Sequence, residues 1–173
     1  TATKHDNETD CTNCSAGTYQ HLPGKASCEK CPAGRYSIAG EGMASSTVCD
    51  NKCSVGKWSV QKGLISNEQC TLCALGKFMP KNVAAGQSAD TCQVCPNGFY
   101  TIGRGQTNCT ACPVGKFLDD PDNRGATLHE SIVSCKTCIE GQYQDQGGRD
   151  ICKSCTEIDK TFTTIGIEPE QHD

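Results

Sequence analysis

Residues 92–117 read CQVCPNGFYTIGRGQTNCTACPVGKF, and the pattern they hold returns along the whole chain. A cysteine is followed three residues later by a glycine and two residues beyond that by an aromatic. It occurs as CSAGTYQ from residue 14, CPAGRYS from 31, CSVGKWS from 53, CALGKFM from 73, CPNGFYT from 95, CPVGKFL from 112 and CIEGQYQ from 138. The glycines are Gly17, Gly34, Gly56, Gly76, Gly98, Gly115 and Gly141. A glycine at that place predicts a positive φ, which lets the chain reverse directly behind a crosslink. The aromatics are Tyr19, Tyr36, Trp58, Phe78, Tyr100, Phe117 and Tyr143, seven of the nine in the chain. So regular a placement makes the ring architectural and predicts one large side chain per half-repeat laid over a disulfide.

Composition bounds the class. Of 173 residues, sixteen are cysteine, while aromatics are 5% and charged residues 21%. Mean hydropathy is −0.50. A chain this poor in large apolar groups cannot offset its ordering entropy by burial alone, so covalent crosslinks must hold it. The cysteine density and even parity predict full disulfide pairing, hence an oxidising compartment: extracellular or cell surface, as a secreted chain. A net charge of −4 without a basic block argues against nucleic acid as a partner. No apolar run reaches the roughly 18 residues of a membrane span, so no direct membrane insertion is expected of this segment.

The cysteines fall into close pairs: 11/14, 28/31, 49/53, 70/73, 92/95, 109/112, 135/138 and 152/155. Spacers of 13, 17, 16, 18, 13, 22 and 13 residues separate the pairs. Short and long alternate, which predicts a unit of two pairs in a quasi-linear array. The expected organisation is an N-terminal segment 1–10, then repeats 11–48, 49–91, 92–134 and 135–173. In the last, Ile158 and Lys160 replace the glycine and the aromatic, and the sequence reads as part of a longer array. Turn-rich pieces between the signatures predict short strands with little helix, a helical turn being plausible only in 126–134. The fold class expected is small, disulfide-rich and mostly irregular or β, built as an elongated tandem array. Thr161–Ile167 is β-prone and would suit strand addition to a neighbouring repeat or subunit.

Two pairings suit the spacing. The expected one joins first with third and second with fourth cysteine in each unit: Cys11–Cys28, Cys14–Cys31, Cys49–Cys70, Cys53–Cys73, Cys92–Cys109, Cys95–Cys112, Cys135–Cys152 and Cys138–Cys155. Its rival links each pair to the next, from Cys14–Cys28 to Cys138–Cys152, leaving Cys11 and Cys155 for neighbouring repeats or other chains.

Each chemical reading has a plainer competitor. Four cysteines as C-x2-C-x13-C-x2-C suit a tetrahedral zinc ion, but the composition favours disulfides, so no metal or other cofactor is expected. Asp119, Asp120 and Asp122 suggest calcium, yet Arg124 and Ser131 occupy ligand positions of the matching loop, which favours a solvated turn. His5, His21, His129 and His172 share no context and face no evident nucleophile, so no catalytic residues are assigned and no enzyme is expected. Asn7, Asn13 and Asn108 head N-x-S/T sequons and are candidate sites for N-linked glycans.

The run from Cys11 to Tyr36 with Cys49 and Cys53, and residues 92–117 above all, resembles the ephrin-receptor-like cysteine-rich repeats. The cysteine–glycine–tyrosine start is also similar to the cysteine-rich modules of tumour necrosis factor receptors. The resemblance implies an elongated, disulfide-laddered extracellular module and no single function. Two functions stay open: a structural or spacer module, with a filament or matrix subunit as one form, and a ligand-binding receptor ectodomain. Even spread of the aromatics favours the first, because a receptor concentrates its anchors in one patch. The partners expected are neighbouring repeats or identical subunits, and other extracellular proteins.

Overall fold

The computed structural model describes residues 13–38, 44–82, 86, 91–121 and 125–155. Seven disulfides close seven successive loops: Cys14–Cys28, Cys31–Cys49, Cys53–Cys70, Cys73–Cys92, Cys95–Cys109, Cys112–Cys135 and Cys138–Cys152. These loops are numbered here as modules 1 to 7. Cys155 is a free, exposed thiol.

This pattern corrects the expected pairing. Cys11–Cys28, Cys14–Cys31, Cys49–Cys70, Cys53–Cys73, Cys92–Cys109, Cys95–Cys112, Cys135–Cys152 and Cys138–Cys155 do not form, since each contains a cysteine that is bonded elsewhere. The physical reason lies in the residues inside each cysteine pair. They are strands. Thr18–Tyr19 pairs antiparallel with Glu29–Lys30, putting Tyr19 opposite Glu29. Phe99–Tyr100 pairs in the same way with Thr110–Ala111. Cysteines three apart on an extended chain project to opposite faces. Cys28 therefore turns back to close module 1, while Cys31 turns forward to open module 2. The expected scheme needs both on one face.

The 49/53 pair has one residue more, and Asp50 takes it up in helical conformation at the end of a 3₁₀ turn, Ser46–Cys49. The strand Asn51–Lys52 then pairs with Arg35–Tyr36 in the usual register. Cys31–Cys49, Cys73–Cys92 and Cys112–Cys135 join residues on either side of 48/49, 91/92 and 134/135, so each closed loop is a unit in itself.

Among the described residues there is no α-helix, and the regular structure is two-residue strands in seven antiparallel pairs. Residues 126–134 hold two 3₁₀ turns, Ala126–His129 and Ile132–Ser134. Two others, Ser46–Cys49 and Asn67–Gln69, have no counterpart in the sequence reading. The seven turn glycines take φ from 71° at Gly34 to 87° at Gly56. Four more positive-φ glycines, Gly24, Gly63, Gly105 and Gly148, follow the turn glycines of modules 1, 3, 5 and 7 by seven residues. That second glycine is what separates odd from even modules.

Cores form between modules, with Tyr36, Trp58 and Tyr100 each lying over the disulfide of the next module. Tyr36 of module 2 packs on Cys53, Leu64 and Cys70 of module 3. Trp58 packs on Cys73, Met79 and Cys92. Tyr100 clusters with Cys112, Leu118 and Cys135. Most of the rings are half-buried, and the deeper place is the next residue: Ser37, Ser59, Met79, Thr101, Leu118 and Gln144 are all buried. Their backbones explain this. Ser37, Ser59, Met79, Thr101 and Leu118 donate N–H groups to carbonyls of the following module: Leu64, Gly86, Gln106, His129 and Arg149.

Candidate functional site

The contacts between modules are the most elaborated feature of the chain. Each cysteine that opens modules 2 to 7 donates its N–H to the carbonyl of the turn glycine of the preceding module, as Cys31 does to that of Gly17 and Cys112 to that of Gly98, both at 2.8 Å. The second glycine reaches back: Gly63, Gly105 and Gly148 donate to the carbonyls of Cys31, Cys73 and Cys112. Side chains add to this ladder, with the Ser37 hydroxyl accepting from Gly17 N–H and that of Thr101 from Gly76 N–H.

Modules two apart also touch, backbone to backbone. A Cβ on Gly17 would stand 2.4 Å from the Gly63 carbonyl oxygen, one on Gly56 2.2 Å from that of Gly105, and one on Gly98 2.3 Å from that of Gly148. In the even series, a Cβ on Gly76 would lie 1.8 Å from the Ala126 carbonyl oxygen. No side chain fits in these spaces. Glycine is therefore required twice at each place, for its φ and for the close approach. Gly24, Gly115 and Gly141 keep positive φ and meet nothing within 4 Å among the described residues.

One buried polar cluster stands apart. His129 is fully buried, with Nδ1 2.7 Å from the Phe99 carbonyl oxygen and Nε2 3.4 Å from Asp120 Oδ2. Each ring nitrogen thus faces an oxygen, one from module 5 and one from its own module. Asp120 is itself buried, accepts from Gly125 N–H at 3.3 Å, and its own N–H donates to Asn97. A substrate cannot reach the pair, which instead ties modules 5 and 6 together. Asp119 is exposed at the surface and Asp122 lies outside the described residues.

One place in the repeat pattern is apolar in several modules. Two residues past each ring come Ile38, Val60, Pro80 and Ile102 in modules 2 to 5, with His21, Asp119 and Asp145 at the same place in modules 1, 6 and 7. Ile38, Val60 and Ile102 are 66%, 63% and 74% exposed. Elsewhere the surface charges pair locally. Lys153 Nζ, 2.7 Å from Asp145, holds that carboxyl below the usual aspartate range. Across the first hairpin, Glu29 accepts from the Tyr19 hydroxyl and raises its pKa, with burial and charge adding to the effect.

Asn13 and Asn108 are exposed, and each sequon has a disulfide-bonded cysteine, Cys14 or Cys109, in its middle position. Asn7, Cys11, His5, His172 and the β-prone stretch 161–167 lie outside the described residues. Sequence reasoning missed the second glycines and the Asp120–His129 pair. The glycines left a visible signal, the fixed offset of seven residues; the pair left none.

Comparison with known proteins agrees with this architecture. The family described as tyrosine-protein kinase ephrin type A/B receptor-like matches residues 2–49 and 83–124. The chain is 28% identical over 160 residues to the mouse "Sushi, von Willebrand factor type A, EGF and pentraxin domain-containing protein 1", a match covering 89% of this chain and 4% of that protein. It is 30% identical over 142 residues to the human "Signal peptide, CUB and EGF-like domain-containing protein 2", covering 81% of this chain and 13% of that one. The chain thus spans a small part of the length of these relatives.

Proposed function

Because the chain belongs to the ephrin-receptor-like cysteine-rich repeat family, we propose that it is a structural module of an extracellular or cell-surface protein, setting distance and stiffness between whatever flanks it. One observation carries this reading: each module completes its neighbours. The rings of modules 2, 3 and 5 cover the disulfides of modules 3, 4 and 6, and backbone bonds run from module to module along the described residues. Load applied at one end passes through covalent loops and shared hydrogen bonds, with no independent domain to swing free. The crosslinks suit an oxidising exterior, and the EGF and CUB domains named in the relatives fit it too. Asn13 and Asn108, exposed among the described residues, are candidate places for N-linked sugar.

The exposed Ile38, Val60 and Ile102 support a second reading, protein binding through modules 2, 3 and 5. Electron microscopy of the native material, with intact mass before and after reduction, separates the two. Evenly repeating units with the cysteines oxidised and sugar attached support the structural module. Discrete particles holding a partner in fixed stoichiometry, released by Ile102→Ser, would replace it with the binding reading.

A further inference from the structure

Each of the seven hairpins has two faces, and the register assigns every strand residue to one of them. The rings lie on the first, with Tyr19 opposite Glu29, Tyr36 opposite Asn51 and Phe117 opposite Lys136. The second face pairs Thr18 with Lys30, Arg35 with Lys52, Lys57 with Leu72, Lys77 with Val94 and Lys116 with Thr137. The two hairpins left, with Phe99 opposite Ala111 and Gln142 opposite Ser154, are neutral there. That face therefore carries six cations and no carboxylate, in a chain whose net charge is −4. All but Lys116 belong to the hairpins of modules 1 to 4. Residues 13–82 hold eight of the sixteen Lys and Arg of the chain but only four of its twenty Asp and Glu. We propose that this face of modules 1 to 4 binds a linear sulfated polysaccharide. The proposal rests on the extracellular setting of the reading above and adds a partner to it.

Arg35 and Lys52 stand opposite each other across their ladder, where like charges repel. An anion laid over both relieves that cost. Two of the cations are held in place in advance. Arg35 Nη1 donates to the Cys49 carbonyl at 3.4 Å, and Lys57 Nζ to that of Asn67 at 3.3 Å. Both groups have further N–H donors beyond these bonds, and a head already fixed loses less freedom on binding. Lys30 lays its carbon stem along module 3, where Cγ and Cδ come within 3.3 Å of the place a Cβ on Gly63 would take. Lys62 is the residue before that glycine, and both lysines are exposed. Cations of modules 1 and 3 thus adjoin, with Arg35 and Lys52 on the module between. Further along, Leu72 lies against Gly105 and Ala111 beside Gly147, so the cationic form of this contact belongs to its first occurrence. Charges repeated from module to module suit a long chain of regularly spaced anions better than one compact phosphate. The crosslinks suit an oxidising exterior, where the abundant long polyanions are sulfated sugars rather than nucleic acids.

Immobilised heparin is the probe, applied to the full oxidised chain in about 50 mM salt. The chain should be retained and then released by rising salt. Lys30→Gln together with Lys52→Gln should weaken binding roughly tenfold and lower the slope of log affinity against log salt by about two. Lys136→Gln together with Lys153→Gln removes the same charge from the ring face, where the two lysines lie over Phe117 and Tyr143. That variant should bind nearly as the wild type does. Intact mass before and after reduction reports that both variants keep their crosslinks. A wild-type chain that is not retained would overturn the proposal, as would equal weakening by the two double variants. So would release by inorganic sulfate at an ionic strength where chloride leaves the chain bound, since the sites would then take single anions. Tighter binding to anionic phospholipid vesicles than to heparin would replace the polysaccharide with a membrane surface. A chain that ignores heparin, beside native material that shows even repeats, retires this contact alone. Heparin retention by a chain that also holds a foreign protein through Ile102 keeps the contact and retires the structural reading.

Discussion

Gly98 and Gly148 meet backbone to backbone, so closely that a Cβ on Gly98 would lie 2.3 Å from the Gly148 carbonyl. Gly115 has the same turn conformation, at φ 77° against 80°, but meets nothing within 4 Å among the described residues. The two glycines therefore separate the cost of conformation from the cost of contact. Gly115→Ala carries the left-handed penalty alone, about 1 kcal/mol. Gly98→Ala adds overpacking against backbone that has no rotamer to yield, for a total of about 3 kcal/mol. Amide exchange reads each directly, at Cys138 N–H, which donates to Gly115, and at Cys112 N–H, which donates to Gly98. The expected acceleration is roughly fivefold at the first and roughly a hundredfold at the second. Equal effects would mean that glycine serves the turn only.

Tyr100 offers a test of where the rings belong. It clusters with Cys112 and Cys135, the crosslink of module 6, while its own module is closed by Cys95–Cys109. Tyr100→Ala removes a buried ring, a loss of about 3 kcal/mol at the junction. A brief pulse of reductant followed by alkylation and peptide mapping should then find Cys112–Cys135 opening faster, with Cys95–Cys109 little changed. The opposite order would return the ring to its own module.

What the sequence disclosed, and what it hid, has a physical pattern. Gly17 and Tyr19 sit at fixed short distances from Cys14, and local offsets of that kind survive every change in loop length. Pairing does not. Cys28 and Cys31 are equivalent as letters, and only the strand between them, Glu29–Lys30, sends one backward and one forward. Ser37, Ser59 and Thr101 are buried without being apolar because the backbone ladder holds them inside. Hydrophobic pattern is blind to such positions. Asp120 and His129 are nine residues apart in the longest spacer, on no helix or strand period, and only the fold brings them together.

That pair sets a third expectation. Asp120→Ala leaves His129 Nε2 buried without its partner, and His129→Ala leaves the Asp120 carboxyl buried without the ring beside it. Breaking a buried pair from one side costs about 3 kcal/mol. The loss should appear at the junction of modules 5 and 6, as roughly hundredfold faster exchange of Thr101 N–H, which donates to the His129 carbonyl. Asp120→Asn keeps an acceptor oxygen at the site and should cost clearly less. A double Asp120→Ala, His129→Ala variant no worse than either single change would show the two acting as one unit. Simple addition would show them independent.

The crosslinks themselves give the most direct check. Digestion without reduction should yield peptides joined as Cys31–Cys49 and Cys112–Cys135, and any peptide joining Cys14 to Cys31 would contradict the fold described here. Local closure also predicts how damage spreads. Each disulfide encloses only its own loop, so replacing Cys112 and Cys135 together with serine removes about 3 kcal/mol of loop-closure stabilisation from module 6. Module 6 is held by module 5 through Thr101 and His129, by module 4 through Gly76 and Ala126, and by module 7 through Leu118 and Arg149. Faster exchange should therefore be confined to modules 4 to 7. Cys31 and Cys53, whose amides bond to Gly17 and Gly34, should keep their protection. In an array that couples nearest and next-nearest modules, a lesion reaches two modules towards the N-terminus and stops. Loss of protection at Cys31 would mean that the chain unfolds as one cooperative body.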